Sequence, residues 1–312
     1  YDVFVSDVQG NVSLYGKQQH VETAGCNERK GGINAMKFGL ISLDFKRFSL
    51  EYCFKMARRY GLDGVELWGG RPHGYFTDMT RERIQEIDAL KKKYKLEIPM
   101  YTPNVLNGPY NLCSLEERTI HETIEFFQRS IDIAYELECP RMLVVADHPG
   151  YEAPKALVFA GVSLEHMQYL CDYGAPKGVS LVIEPLTPME SPVITTADDC
   201  VDAIKRIGRD NVEAMMDVAP PTVANEPFSV YFDKLKDRMN YIHICNNDGM
   251  TDAHKRLDEG IIPIKDMFTV FANWKYNGYV TCELYSENYR DPELYLANTM
   301  RMVYEIRNEL GI

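Results

Sequence analysis

The chain has 312 residues, of which 45% are hydrophobic and 26% are charged, a profile typical of globular proteins and not of disordered or fibrous ones. Lys and Arg number 34 and Asp and Glu number 46, so the formal net charge at pH 7 is −12. This charge disfavours nucleic acids and anionic membrane surfaces as partners. The longest apolar runs, such as 142–146, have the length of a strand and fall far short of the roughly 20 residues that a membrane-spanning helix needs.

The cysteines indicate a reducing environment. Eight are present at wide intervals, without a CxxC pair: Cys26, Cys53, Cys113, Cys139, Cys171, Cys200, Cys245 and Cys282. Small disulfide-stabilised proteins space their cysteines closely, so these eight are predicted to be reduced thiols. The first residues also lack the pattern of a secretion signal, so we expect a cytoplasmic protein.

The first 35 residues differ from the rest of the chain. They are polar and aperiodic, they contain five glycines, and they end before an apolar run that begins at Met36. We predict an N-terminal extension over 1–35, outside the main fold. An artefact of the start site or of expression is favoured over a lid or an oligomer arm.

From residue 36 onward, short apolar runs alternate with longer amphipathic segments, which is typical of βα units in a parallel sheet. Eight strands are predicted, at 37–42, 64–68, 98–102, 142–146, 180–185, 214–217, 241–245 and 279–284. Eight units over about 275 residues match the usual size of a (β/α)₈ TIM barrel. We therefore predict one α/β barrel domain over 36–312. A doubly wound open sheet is disfavoured, because no GxGxxG motif follows the first strand.

The helix between the third and fourth strands has the clearest periodicity. Its apolar residues recur at spacings of four and three, at Ile120, Ile124, Phe127, Ile131 and Ala134, which places them on one helix face. Helix starts are predicted from capping patterns, at Ser114 with Glu117, at Thr196 with Asp199, and at Asp291 with Pro292.

Ionisable residues end four successive late strands. They are Glu184, Asp217, His243 and Glu283. In a TIM barrel the carboxyl ends of the strands form the active face, and burying such groups is costly unless a partner or a cation offsets the charge. Any one of them could instead be an ion-pair member or a core histidine, but four in succession favour a cation. Three carboxylates and one imidazole suit Mn²⁺, Mg²⁺ or Co²⁺, and Zn²⁺ is also compatible.

These four positions resemble the metal shell of the xylose-isomerase-like barrel superfamily of sugar isomerases and epimerases. Within it, the chain resembles the fructoselysine 3-epimerase family over essentially all of 36–312. The resemblance is carried by WGGRPH at 68–73, YTP at 101–103, EPLTPMES at 184–191, YFDKL at 231–235, DG at 248–249 and DAH at 252–254.

The resemblance implies a metal-dependent 3-epimerase that inverts C3 of a ketosamine such as fructoselysine through an enediolate. Inversion next to a carbonyl removes a proton from one face of the carbon and returns one to the other, so two acid-base groups must flank it. Glu184 and Glu283 take these roles by similarity, and both are also metal ligands. One divalent ion is implied, with Mn²⁺ favoured over Co²⁺, Mg²⁺ and Zn²⁺, and no nucleotide cofactor.

Seven further residues are predicted as contacts for the substrate. Glu190 and His254 correspond to positions where the family contacts its sugar. The histidines at 73 and 148 follow the second and fourth strands, where they would reach hydroxyl groups, with a structural role as the alternative for each. Aromatic residues, Trp68 and Tyr101 together with Tyr151, could form an apolar wall. Glu66, two residues before Trp68, would point the same way and support the site from behind.

Two departures from related enzymes bear on the substrate. Free-ketose 3-epimerases of this superfamily carry a histidine three residues after the metal-binding aspartate and an arginine six residues after the metal-binding histidine. This chain has Pro220 and Gly249 at those positions. The family pattern therefore favours a substrate held differently at its C1 end, such as a ketosamine.

Several alternatives remain open at this stage. They are a free-ketose 3-epimerase of the psicose or tagatose type, an aldose-ketose isomerase, and a sugar-binding barrel without activity. An apurinic endonuclease shares the fold, but seven histidines and the net charge of −12 argue against it. A homo-oligomer is expected on general grounds.

Overall fold

The computed structural model describes residues 36–106, 108–150, 162–285 and 290–312, together with the backbone of two short strands near the N-terminus. The chain divides into two compact units, Tyr1–Ile33 and Asn34–Ile312. In the first unit, β1 (Val3–Ser6) pairs with β2 (Val12–Tyr15) in antiparallel register. The rest of the predicted extension, with Cys26 and any role as an arm or lid, lies outside the described residues.

The second unit is a closed barrel of eight parallel strands, which confirms the predicted fold class. Each strand pairs with the next along the chain, and β10 pairs with β3 to close the barrel. The strands are β3 (Lys37–Ile41), β4 (Gly64–Gly69), β5 (Tyr101–Pro103), β6 (Arg141–Val144), β7 (Ser180–Ile183), β8 (Val212–Asp217), β9 (Met239–Ile244) and β10 (Tyr279–Cys282).

Helices surround the barrel on the outside. The described α-helices are α1 (Leu50–Arg59), α2 (Arg81–Tyr94), α3 (Glu117–Glu136), α4 (Val162–Gly174), α5 (Ala197–Ile207), α6 (Ala219–Ala224), α7 (Phe228–Leu235), α8 (Ile264–Asn273) and α9 (Pro292–Leu310). Short 3₁₀ turns occupy Ser42–Phe45, Phe76–Asp78, Ala175–Lys177 and Lys236–Arg238. In this described part of the chain, no helix combines the length and the apolar run that crossing a bilayer requires.

The capping patterns succeed at two helix starts and fail at one. Thr196 and Asp199 form a reciprocal capping box at α5, and Asp291 accepts a hydrogen bond from the backbone N of Leu294 at α9. The prediction at Ser114 is wrong, because α3 begins after Glu116. The hydroxyl of Ser114 instead accepts from the backbone N of Glu116, two residues on, in a local turn that competes with helix capping.

The core fills the barrel and the layer between its strands and the helices. On α3, Phe127, Ile131 and Ala134 of the predicted stripe are fully buried. Because both faces of the parallel sheet are covered, strands such as Leu181–Ile183 are buried at successive positions. Each such large side chain contributes about 1.5–3 kcal/mol by leaving water. The seven described cysteines are free and buried, in accord with the predicted reduced thiols.

Candidate active site

The structure brings the four ionisable strand-end residues together at the carboxyl end of the barrel. Asp217 on β8 pairs in register with His243 on β9. Glu184 follows β7, and Glu283 follows β10, where its backbone N donates to the carbonyl of Ile244 at 3.1 Å. One ligand atom from each residue lies within 4.8 Å of the other three. The cluster follows from the parallel topology, which delivers neighbouring strand ends to one edge.

His243 is oriented by carboxylates on both sides of its ring. Its Nε2 lies 2.8 Å from Oε2 of Glu66, and its Nδ1 lies 2.8 Å from Oε2 of Glu283 and 3.3 Å from Oε1 of Glu184. Despite these short distances, Nδ1 is buried without a hydrogen bond of acceptable geometry. A ring nitrogen that faces a space lined by carboxylates, with its other nitrogen bonded to a carboxylate, is the usual arrangement of a metal-binding histidine. The donor set therefore fits a divalent cation.

Burial and neighbouring charges shift the pKa values of the residues in the cluster. Burial raises the pKa of Glu184 to about 8, an effect that His243 reduces and Glu283 reinforces. Burial also acts to raise the pKa of Glu283, but the charges of His243 and His254 outweigh it and hold the pKa below the usual range. For His243, burial lowers the pKa, and Glu66 and Glu283 more than offset this and raise it well above its usual value. A bound cation would supply positive charge at the same place.

Glu66 lies where the alternation of β4 predicts. It is fully buried inside the barrel, and its Oε1 accepts a hydrogen bond from the Thr102 hydroxyl while Oε2 faces His243. The two contacts hold the carboxylate against the imidazole.

The loop after β9 is built around two buried asparagines. Asn246 accepts from the backbone N of Ile262 at 2.8 Å and donates to the carbonyl of Leu257, while Asn247 donates to the carbonyls of Thr251 and Ala253. A Cβ at Gly260 would lie 2.2 Å from Oδ1 of Asn246, so only glycine fits there. These contacts fix the position of 251–254 over the cluster. Neither asparagine could be predicted from the sequence, because nothing local marks their hydrogen-bond partners, which lie up to 16 residues away.

His254 reaches the four-residue cluster directly. Its Nε2 lies 3.0 Å from Oδ2 of Asp217 and 3.5 Å from Oε2 of Glu283, and its ring packs 4.8 Å from that of Tyr285. The sequence predicts a substrate contact here, and the structure adds direct contact with two of the candidate metal ligands.

Two carboxylates lie beyond the cluster on the same face. Glu190 accepts from the backbone N and hydroxyl of Thr187 at 3.2 and 3.0 Å. Burial, with Asp252 nearby, raises its pKa to about 8. Asp252 receives a 3.4 Å contact from the Tyr285 hydroxyl, and burial raises its pKa to about 7. Asp252 belongs to the DAH motif at 252–254, but no local pattern predicts a role for it, since only the folded loop brings it near Glu190.

The remaining predicted substrate contacts lie in varied places. Trp68 is half-buried on β4 and faces the same side as Glu66. His73 is buried edge-on to the Trp68 ring, with Nε2 2.9 Å from the Phe48 carbonyl. The described contacts of His73 do not include the four-residue cluster. His148 follows β6, where its Nδ1 accepts from the backbone N of Gly150 at 2.8 Å. Residue 151, the third aromatic, lies outside the described residues.

Tyr101 points away from the barrel interior. The neighbouring Thr102 reaches Glu66 inside the barrel, so alternation directs Tyr101 to the opposite side of β5. There it is fully buried, and its hydroxyl donates to the Gly74 carbonyl at 2.8 Å. Its surroundings include Arg129 and Ser130 of α3. These contacts give the predicted sugar contact no support, and Tyr101 is left out of the site proposed below.

A separate cleft of about 540 Å³ lies at the amino ends of the strands, lined by residues that include Lys37, Glu97 and Arg141. Its charges are paired, with Lys37 Nζ 2.8 Å from Glu97 and Arg141 2.9 Å from Glu213. In this fold the amino end serves stability and the carboxyl end carries chemistry.

Comparison with known proteins agrees with this architecture. Residues 54–306 match the family model described as a xylose isomerase-like TIM barrel. The chain is 34% identical over 265 residues to fructoselysine 3-epimerase of Shigella flexneri, covering 85% of this chain and 96% of that protein. It is 22% identical over 247 residues to L-ribulose 3-epimerase of Methylomonas sp. strain DH-1, covering 78% and 80% of the two chains.

Solved structures show the same fold at low identity. D-psicose 3-epimerase from Clostridium cellulolyticum H10, solved with D-tagatose, superposes with a TM-score of 0.74 at 16% identity, over 88% of this chain and 99% of that one. A 3-keto-D-glucoside 4-epimerase from E. coli superposes with a TM-score of 0.69 at 17% identity, over 84% of this chain and 99% of that one. The chain therefore belongs to the xylose isomerase-like TIM-barrel family, in the branch of sugar epimerases that includes fructoselysine 3-epimerase, and it is an enzyme of the isomerase class.

Proposed function

We propose that this enzyme is a divalent-metal-dependent 3-epimerase that inverts C3 of a ketosamine such as fructoselysine, interconverting fructoselysine and psicoselysine. The convergence of Glu184, Asp217, His243 and Glu283 within 4.8 Å at the carboxyl end of the barrel carries this proposal. The 34% identity to fructoselysine 3-epimerase supports the choice of substrate.

The same four residues hold the cation. Three carboxylates and one imidazole suit Mn²⁺, with Co²⁺, Mg²⁺ and Zn²⁺ as alternatives. The buried Nδ1 of His243, which lacks a hydrogen bond, supports this assignment. When bound, the cation stabilises negative charge that develops on the substrate oxygens.

Glu184 and Glu283 act as the acid-base pair. They come from β7 and β10, with β8 and β9 between them, so their carboxylates enter the site from different sides. One removes the C3 proton and the other delivers a proton to the opposite face. Before a cation binds, their surroundings differ, because burial raises the pKa of Glu184 to about 8 while the charges of His243 and His254 lower that of Glu283.

Glu190 and Asp252 bind the C1 end of the substrate. A ketosamine carries a cationic amine at C1, next to the carbonyl carbon. Among the described residues, neither carboxylate forms an ion pair with lysine or arginine, and the ion pair of Asp252 is with Nδ1 of His254, at 3.8 Å. Pro220 and Gly249 stand where free-ketose epimerases carry cationic or hydrogen-bonding side chains. A substrate ammonium group would neutralise these buried carboxylates.

Other parts of the site are assigned more simply. His254 and Trp68 face the sugar from the β9 loop and from β4, and His148 and His73 remain predicted hydroxyl contacts. The free, buried cysteines support a reducing, cytoplasmic location.

Product analysis tests the proposal. The full chain loaded with Mn²⁺ is incubated with fructoselysine, and psicoselysine is measured by NMR; a chelator should abolish its formation and added Mn²⁺ should restore it. In Asp252→Asn, KM for fructoselysine should rise about tenfold, which corresponds to one charged hydrogen bond, while kinetics with free psicose should change little. Glu97→Gln, in the cleft at the opposite end of the barrel, is the matched control. Equal effects of Asp252→Asn on both substrates would contradict recognition of the amine.

A further inference from the structure

A second group of metal-binding atoms adjoins the proposed site. The thiol of Cys245, a ring nitrogen of His254 and a carboxylate oxygen of Asp217 lie within 4.8 Å of one another. All three residues are buried, Cys245 completely. Cys245 and His254 are not among the proposed ligands of the first cation, and Asp217 belongs to both groups.

We propose that Cys245, His254 and Asp217 form a second cation site that takes a thiol-binding divalent metal such as Zn²⁺, with Asp217 shared between the two sites. Thiolate sulfur, imidazole nitrogen and carboxylate oxygen are the donors that zinc prefers. Three protein ligands leave a position for water or a substrate oxygen. The inference does not depend on which sugar the enzyme uses.

A hydrogen bond alone accounts for two of the three groups. His254 Nε2 lies 3.0 Å from Oδ2 of Asp217, a distance that a direct contact explains. The thiol of Cys245, whose sulfur lies within 4.8 Å of both ligand atoms, takes no part in that contact. Cys245 follows the end of β9, two residues after His243, so its side chain lies on the same strand face and enters the carboxyl end of the barrel.

The site is held by fixed backbone. The loop that carries His254 is anchored by Asn246, which forms a pair of backbone hydrogen bonds with Lys255 at 2.9 and 2.8 Å. Gly260 packs against the Asn246 side chain with no room for a Cβ. Cys245 and His254 therefore flank a pair of residues joined by backbone hydrogen bonds. This arrangement limits the conformational entropy lost when the two ligands are brought together.

The charge balance also favours a cation. Carboxylates of Asp252 and Glu283 adjoin Cys245 and His254, and the described ion pairs of these two carboxylates are with histidines and not with lysine or arginine. On binding, the metal forms a bond to sulfur and the thiol proton passes to solvent; no electron is transferred.

Cobalt binding to the full chain tests the proposal. Metal-free protein is titrated with Co²⁺ while bound metal and the near-ultraviolet absorption of cobalt-thiolate bonds are recorded. We expect two Co²⁺ per chain and a thiolate band in the wild type. Cys245→Ser should bind one Co²⁺ and lose the band. Cys171→Ser, a buried cysteine on α4 outside the barrel, should keep both ions and the band.

Further variants separate this site from the first. Glu184→Gln removes a ligand of the first site alone, so it should keep the thiolate band while losing affinity for the other ion. His254→Gln, checked for folding by circular dichroism, should behave like Cys245→Ser if that variant fails to fold. One Co²⁺ per wild-type chain without a thiolate band would overturn the second site and leave the first intact. A thiolate band with affinity unchanged in Glu184→Gln would instead contradict the first site.

Discussion

Oε2 of Glu66 lies 2.8 Å from Nε2 of His243, on the opposite side of the ring from Glu184 and Glu283. Because Nε2 donates to this carboxylate, the lone pair of a neutral imidazole is on Nδ1, directed at the cluster. Glu66 belongs to β4, across the barrel from β9. The interior of the barrel thus orients a ligand at its rim.

Replacing Glu66 should weaken metal binding without removing a ligand. In Glu66→Gln, which keeps the shape of the side chain, we expect the affinity for Mn²⁺ to fall about 10–100-fold, as for other partners of ligating histidines. Competition with a chelator measures this affinity. Glu97→Gln is the control, and equal affinities in the two variants would show that Glu66 does not orient His243.

Replacing Glu283 should remove an acid-base group as well as a ligand. We expect Glu283→Gln to lower turnover by about 10²–10⁴-fold at saturating metal, the usual contribution of a positioned acid or base, while substrate binding persists. Steady-state kinetics and substrate titration separate the two effects. Glu213→Gln is the matched control, since Glu213 is mostly buried but pairs with Arg141 at the other end of the barrel. Turnover within tenfold of the wild type would refute the assigned role.

The β9 loop should be sensitive to a single methyl group. In Gly260→Ala the new Cβ would lie 2.2 Å from Oδ1 of Asn246, so the loop must shift, at a cost of about 1–3 kcal/mol. Both the melting temperature and the activity should fall, because Asp252 and His254 move with the loop. At Gly178 a Cβ meets nothing within 4 Å and only the positive φ of 68° opposes it. Gly178→Ala should therefore lose stability but keep activity; the same activity loss in both would argue against a specific loop effect.

The metal-free protein should lose stability as pH rises. Burial raises the pKa of Glu190 to about 8 and that of Asp252 to about 7, against about 4 in an unfolded chain. At pH values between the unfolded pKa of about 4 and the raised folded pKa values, the folded protein binds more protons than the unfolded chain. The free energy of unfolding therefore falls as the pH rises through this range. Thermal melts at pH values from about 5 to 8 measure the slope. Glu190→Gln should flatten it and be the more stable protein near pH 8; identical slopes would contradict the raised pKa.

Sequence patterns are enough to predict the barrel and the four strand-end residues. All eight predicted strands occur in the barrel in chain order, because burial on both faces leaves each as a short apolar run, and each of the last four carries one ionisable residue at or just past its end. Glu184 and Glu283 lie just past β7 and β10, so errors of one or two residues in the strand ends did not matter.

Side-chain direction and loop contacts were harder to predict. The third predicted strand was expected to begin at residue 98, but the corresponding strand, β5, begins at Tyr101. Because side chains alternate along a strand, Thr102 points into the barrel and Tyr101 points outward. Asp252 and Asn246 depend on hydrogen bonds across a loop whose path has no periodicity. The helix start at Ser114 failed because its hydroxyl bonds locally instead. These features are set by tertiary contacts, which one-dimensional patterns do not contain.

The position of solvent hydrogen in the substrate tests the central claim most directly. The Mn²⁺-loaded enzyme is incubated in D₂O with fructoselysine and, separately, with free fructose and psicose, and deuterium is located by NMR. The account predicts label at C3 of fructoselysine, lost on adding a chelator. Label at C3 of the free ketoses alone would keep the mechanism and contradict the substrate, while label confined to C1 or C2 would show an aldose-ketose isomerase and contradict 3-epimerisation.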